Sequence, residues 1–113
     1  MLSFNYMVEQ TISLDSIFAA LADSTRRSIL ERVAKVEMSI GEIAEHYQLT
    51  FAAISKHIKV LEHANLVIKK RRGKEQIVVI VPRSVDIAQH HIERYATLWG
   101  DRFNTLEKLL QTN

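Results

Sequence analysis

The 113-residue chain contains no cysteine, one proline, three glycines and only 7% aromatic residues. Without cysteine there are no disulfide staples and no thiolate metal sites. Three scattered glycines cannot build a phosphate-cradling loop, and no Walker sequence, nucleophile elbow or dinucleotide fingerprint is present. No enzymatic activity is expected. Gly-rich, low-complexity and repeated stretches are missing, so nothing reads as a linker between two domains. No apolar run approaches the ~18 residues of a membrane span, and the first residues lack a basic segment followed by an apolar one. A cytoplasmic protein with no membrane partner is the expectation. The remaining composition, 47% hydrophobic and 25% charged, suits one small globular core.

Residues 38–81 carry the organisation. Ser39 followed by Glu42 makes a capping box, and Ile40, Ile43 and Ala44 then fall on one face of a short helix. After the turn at Tyr47, Gln48 and Leu49, Thr50 caps a second helix with Ala53, Ile54, Ile58, Leu61 and Ala64 facing inward. Its other face carries Phe51, Ala52, Ser55, Lys56, His57 and Lys59. A helix in the major groove needs small residues for close approach, polar heads for base edges and cations for phosphates, and this face has all three. Lys and Ser are also ordinary surface residues, so the face alone does not decide.

The segment that follows does. Val67-Ile68 and the run from Ile77 to Val81 are β-branched and flank Lys69, Lys70, Arg71, Arg72, Gly73 and Lys74, which predicts a basic hairpin tip with Gly73 at positive φ. Between Lys56 and Lys74 there are seven basic residues against one acid, whereas the rest of the chain has eight basic and twelve acidic ones. Positive charge focused on one unit is the footprint of a polyanion partner. Helix, turn, helix, strand, basic tip and strand is the order of a winged helix-turn-helix, and double-stranded DNA is the expected ligand.

The expected fold is mainly α with a small β-hairpin, in the order α-α-α-α-β-β-α. Residues 1–12 form an N-terminal arm, 13–83 the winged DNA-binding unit and 84–113 a C-terminal dimerisation helix within the same compact domain. Residues 14–22 read as a first helix with Ser13 as its cap, and Ser24 is expected to cap a second helix with Ile29, Leu30 and Val33 inward. Pro82 closes the second wing strand, a last helix starts at Ser84 or Asp86, and Gly100 weakens it enough for a bend. That helix has more apolar surface than a domain of this size buries alone. Tyr95, Leu98, Trp99, Phe103 and Leu106, with Leu14, Ile17 and Phe18, are therefore expected at a homodimer interface.

Three segments carry a family resemblance. Phe18-Ala-Ala-Leu-Ala-Asp-Ser-Thr-Arg-Arg-Ser-Ile-Leu30 resembles the opening of ArsR-type winged-helix repressors, with Ser24 in place of the usual Pro. Ile54-Ser55-Lys56-His57-Ile58-Lys59-Val60-Leu61 resembles the recognition helix of that family. The stretch from Leu61 to Val67 resembles its exit, with Asn65 where Gly is usual. The resemblance implies a sequence-specific transcriptional regulator, dimeric and repressing by promoter occupancy; an effector, if there is one, would act by shifting dimer geometry. It implies DNA contacts from Thr50, Phe51, Ala52, Ser55, Lys56, His57 and Lys59 on the helix, and from Arg71, Arg72 and Lys74 on the wing. Phe51 departs from the polar residue of relatives, and either touches a thymine methyl or packs under the helix.

Some relatives sense zinc on the last helix through Asp-x-His followed further along by His-x-x-Glu. Here only His90-His91-Ile92-Glu93 approaches that pattern; Asp86 and His90 at i,i+4 and His90 and Glu93 at i,i+3 share a helix face, but the Asp-x-His half is missing and the family's thiolate sensor has no thiol. No metal or other cofactor is expected. The alternatives are a zinc-responsive repressor that uses the C-terminal helix, and a winged-helix protein-protein adaptor whose basic wing meets an acidic protein.

Overall fold

The structure is a computed structural model that describes residues 14–111. The N-terminal arm and Ser13 lie outside the described residues. The elements are α1 (residues 14–21), α2 (Ser24–Lys35), β1 (Met38–Ser39), α3 (Ile40–Tyr47), α4 (Phe51–His63), β2 (Val67–Arg72), β3 (Glu75–Ile80) and α5 (Pro82–Gln111). This is a mainly helical winged helix-turn-helix with the expected order and one addition. The short β1 pairs antiparallel with β3, Met38 opposite Val78 and Ser39 opposite Ile77, so the hairpin is a three-stranded sheet in the order β1-β3-β2.

Local chemistry sets the helix starts. Ser39 Oγ accepts from the Glu42 N–H at 3.1 Å while Glu42 Oε1 accepts from the Ser39 N–H at 3.1 Å, which closes the capping box of α3. Thr50 Oγ1 accepts from the Ala53 N–H at 3.1 Å at the start of α4. Two starts differ from expectation. Asp23, not Ser24, caps α2, its carboxylate accepting from the Arg26 N–H at 3.0 Å. Pro82 opens α5 and does not end β3, because a first-turn proline has no N–H to satisfy and its fixed φ already suits a helix. The helix then runs without interruption past Gly100.

The core gathers Ile29 and Val33 of α2, Ile43 of α3, Ile54, Ile58 and Leu61 of α4, Leu66, Val67 and Val78 of the wing, and Ala88 of α5. Ile17 and Ala20 of α1 are fully buried in the same cluster. Ile17 therefore has no surface left for a partner, which corrects its place in the expected interface, whereas Phe18 beside it is exposed. Ser84 Oγ donates to the Asn65 carbonyl at 2.8 Å and the Val81 N–H donates to the Leu66 carbonyl at 2.9 Å, fixing the start of α5 to the end of α4.

Beyond Ala88, α5 leaves the core. Its only buried residues are Ser84 and Ala88, and Ile92, Tyr95, Leu98, Trp99, Phe103 and Leu106 are all exposed. The radius of gyration is 18.9 Å, against ~13 Å for a compact chain of this length. No helix of the described residues is long and apolar enough to cross a membrane.

Candidate nucleic-acid interface

Two left-handed residues place the recognition unit. Gln48 has φ 54°, with the Gln48 N–H donating to Glu45 O at 3.2 Å and the Leu49 N–H to Ala44 O at 3.0 Å. Asn65 has φ 56°, with its N–H donating to Glu62 O at 2.9 Å and the Leu66 N–H to Leu61 O at 3.0 Å. These are paired Schellman closures that stop α3 and α4 sharply, and in both a polar residue stands where glycine is usual. The first sets the angle between α3 and α4; the second turns the chain into β2.

With Ile54, Ile58 and Leu61 fully buried, the opposite face of α4 is fixed outward. Thr50, Phe51, Ala52, Lys56 and Lys59 are exposed, and Ser55 and His57 are partly buried. Phe51 is 60% exposed, so of its two expected roles the packing one is excluded. The outer face thus presents one aromatic edge, small residues and two cations.

The wing departs from the expected basic tip. Lys69 to Arg72 lie in β2, paired from Lys69 opposite Val78 to Arg72 opposite Glu75, and only Gly73 and Lys74 form the turn. Gly73 has φ 65° and Lys74 does not share the positive φ, the pattern of a type II′ hairpin. The cations are therefore spread along a strand. Lys69 Nζ is 3.2 Å from Glu62 Oε1, and Arg72 Nη2 is 3.1 Å from Glu37 Oε2. Arg71 Nε donates to Gly73 O at 3.3 Å, and no carboxylate among the described residues pairs with Lys70, Arg71 or Lys74.

One cluster was not legible in the sequence. His57, whose side chain is 25% exposed, turns Nδ1 toward α2, 3.3 Å from Arg26 Nη1 and 4.0 Å from Asp23 Oδ2. Arg26 is itself anchored, donating from Nε to Ala20 O at 2.8 Å and from Nη2 to Ala19 O at 3.1 Å at the end of α1. The Arg26 N–H bond holds the Asp23 carboxyl below its ordinary value of 3.8; partial burial opposes this, and the charge of Arg26, with that of His57 only when its ring is protonated, adds to the lowering. Because the folded value is the lower one, the stabilisation is fully present above the ordinary value and is lost as pH falls through the folded one. The thermal midpoint of Asp23→Ala should lie below that of wild type at neutral pH, and the gap should narrow once acid protonates the folded carboxyl, leaving only what a neutral cap contributes. A gap that persists unchanged to the acid limit contradicts this assignment.

On α5 the candidates Asp86, His90 and Glu93 form no group placed to hold an ion. Glu93 Oε1 accepts from Gln89 Nε2 at 3.0 Å, and no cluster of three or more His, Asp and Glu placed to hold an ion occurs among the described residues.

Residues 23–69 match the sequence profile of the bacterial regulatory protein arsR family. The chain is 34% identical over 85 residues to the HTH-type transcriptional regulator Rv2034 of Mycobacterium tuberculosis, covering 75% of this chain and 79% of the relative. It is 34% identical over 61 residues to the transcriptional repressor SdpR of Bacillus subtilis, covering 54% of this chain and 68% of that protein. An ArsR-like transcriptional regulator from Rhodococcus sp. RHA1 superposes with a TM-score of 0.80 at 25% identity, over 94% of this chain and 97% of that one. Fold, motif order and these relatives agree: the chain belongs to the ArsR family of winged helix-turn-helix DNA-binding transcriptional regulators.

Proposed function

We propose that this regulator is a homodimeric repressor that acts by occupying promoter DNA, without a thiolate metal sensor. The observation that carries the reading is the pairing of two surfaces on one chain: a cationic face running from α4 to the wing, and an uncovered apolar face on α5. In this arrangement Thr50, Phe51, Ala52, Ser55, Lys56, His57 and Lys59 enter the major groove. Arg71, Arg72 and Lys74 hold the flanking backbone. Leu14, Phe18, Tyr95, Leu98, Trp99, Phe103 and Leu106 join two copies. Repression in particular is supported by the kinship with SdpR, itself a transcriptional repressor. The protein is a regulator and not an enzyme, and an effector would act by changing the relation between the two recognition helices.

Selection of bound sequences from a random duplex pool tests the reading directly. An imperfect palindrome with half-sites about one helical turn (~34–36 Å) apart is expected. A salt titration on random duplex separates this from an adaptor role, since phosphate contacts release counterions and must weaken steeply with salt. Salt-insensitive association, or none, favours an acidic protein partner. Micromolar zinc should leave operator affinity unchanged, because Asp86, His90 and Glu93 supply no convergent set. A stoichiometric zinc site removed by His90→Ala would restore the zinc-responsive alternative.

A further inference from the structure

We infer that Arg26 is a positioning residue for base recognition, fixing His57 in the tautomer that carries its proton on Nε2, so that His57 reads hydrogen-bond acceptors on a base edge. The inference rests on the placement of α4 in the major groove proposed above. A guanidinium only donates, so the 3.3 Å contact from Arg26 Nη1 makes Nδ1 of His57 the acceptor, while the Asp23 carboxylate, 4.0 Å from the same nitrogen, is too far to accept a proton from it. In the neutral ring the proton then belongs to Nε2. Arg26 cannot drift to another arrangement cheaply, because Nε and Nη2 are already committed to the Ala20 and Ala19 carbonyls at 2.8 and 3.1 Å. One side chain thus ties the end of α1 and the start of α2 to the middle of α4. No group among the described residues pairs with Nε2, which leaves that donor available to a ligand.

The consequence is a chemical filter. In the major groove guanine offers two acceptors, N7 and O6, whereas cytosine offers the N4 amino donor. A histidine fixed as an Nε2–H donor can meet an acceptor on guanine, adenine or thymine, guanine offering the most, and disfavours cytosine at the base it meets. A free imidazole, able to exchange tautomers, discriminates less. Each half-site should therefore exclude cytosine at one position in a way that depends on both His57 and Arg26, although Arg26 itself touches no base.

The test has two independent arms on the full chain. Two-bond nitrogen-proton correlation spectra, recorded without DNA at alkaline pH, should show His57 protonated at Nε2 only. The bare Nδ1 resonance should move in Arg26→Met as the accepted bond is lost. In the second arm, the ratio of operator to random-duplex affinity should fall about tenfold in His57→Ala and in Arg26→Met alike, with no further loss in the double variant. His57→Gln, whose amide nitrogen can take the place of Nε2, should keep more of the operator-to-random ratio than His57→Asn, whose amide nitrogen is too short to reach that position. That pair decides even if Arg26→Met folds poorly. A wild-type ring protonated at Nδ1, or losses that simply add, would overturn the inference. A wild type that prefers no duplex sequence removes the base-reading role along with the proposed function, while the spectrum still decides whether Arg26 sets the tautomer.

Discussion

Leu98→Glu combined with Leu106→Glu is expected to turn the protein into folded monomers that bind an operator at least about a hundredfold more weakly, because the second half-site is no longer tethered to the first. Both leucines are more than half exposed on the protomer, 56% and 52%, and neither belongs to the core cluster. Glutamates there meet water in the monomer, so the helical signal and the unfolding midpoint of the winged unit should change little. In a dimer the same carboxylates would be buried unpaired, which costs several kcal/mol for each pair brought together. Trp99 at 68% and Phe103 at 66% exposure flank them, a density of apolar surface that a monomer rarely leaves uncovered. Sedimentation equilibrium reads the assembly state and circular dichroism the fold. A double variant that stays dimeric would sink the interface assignment. So would a wild type that is monomeric at concentrations where it binds a palindrome tightly.

What the sequence disclosed follows from the range of each interaction. The capping box of Ser39 and Glu42 and the Thr50 cap are contacts between residues three apart, so residue type and spacing suffice to see them. The inward stripe of α4 is legible for the same reason, as is the apolar excess of α5, which needs only a count of faces. At the start of α2, Asp23 and Ser24 are both good caps side by side, and the choice fell to the residue whose carboxylate reaches the Arg26 N–H. The two-residue β1 has no alternation to detect; its existence depends on β3, some forty residues on. Ile17 shares a helical stripe with Phe18, yet one is sealed in the core and the other exposed, a division set by packing and not by periodicity. The contact of Arg26 with His57 joins residues 31 apart, from α2 to α4, and no local pattern marks it. The motif around Asp23 and Arg26 was visible, but only as a family signature without a role.

Charge removal in the wing should weaken all duplex DNA alike, and the structure divides that effect unequally between neighbours. Arg71→Ala should lower random-duplex affinity roughly tenfold and flatten the salt slope by about two per dimer, one phosphate contact for each subunit. Arg72 differs, because its guanidinium is already 3.1 Å from the Glu37 carboxylate. Arg72→Ala should then cost less than Arg71→Ala, since a phosphate must compete with that partner for the same cation. Glu37→Gln provides the decisive contrast: it leaves the wing's cations in place and removes only the competitor, so random-duplex affinity and the salt slope should both rise. The operator-to-random ratio should stay constant throughout this series, because backbone contacts carry no sequence information. Titrations of fluorescent duplexes across a range of salt supply every one of these numbers. If Arg71→Ala changes neither affinity nor slope, the wing does not touch the phosphate backbone. If Glu37→Gln weakens binding instead, the Arg72 to Glu37 pair orders the wing and does not compete for its charge.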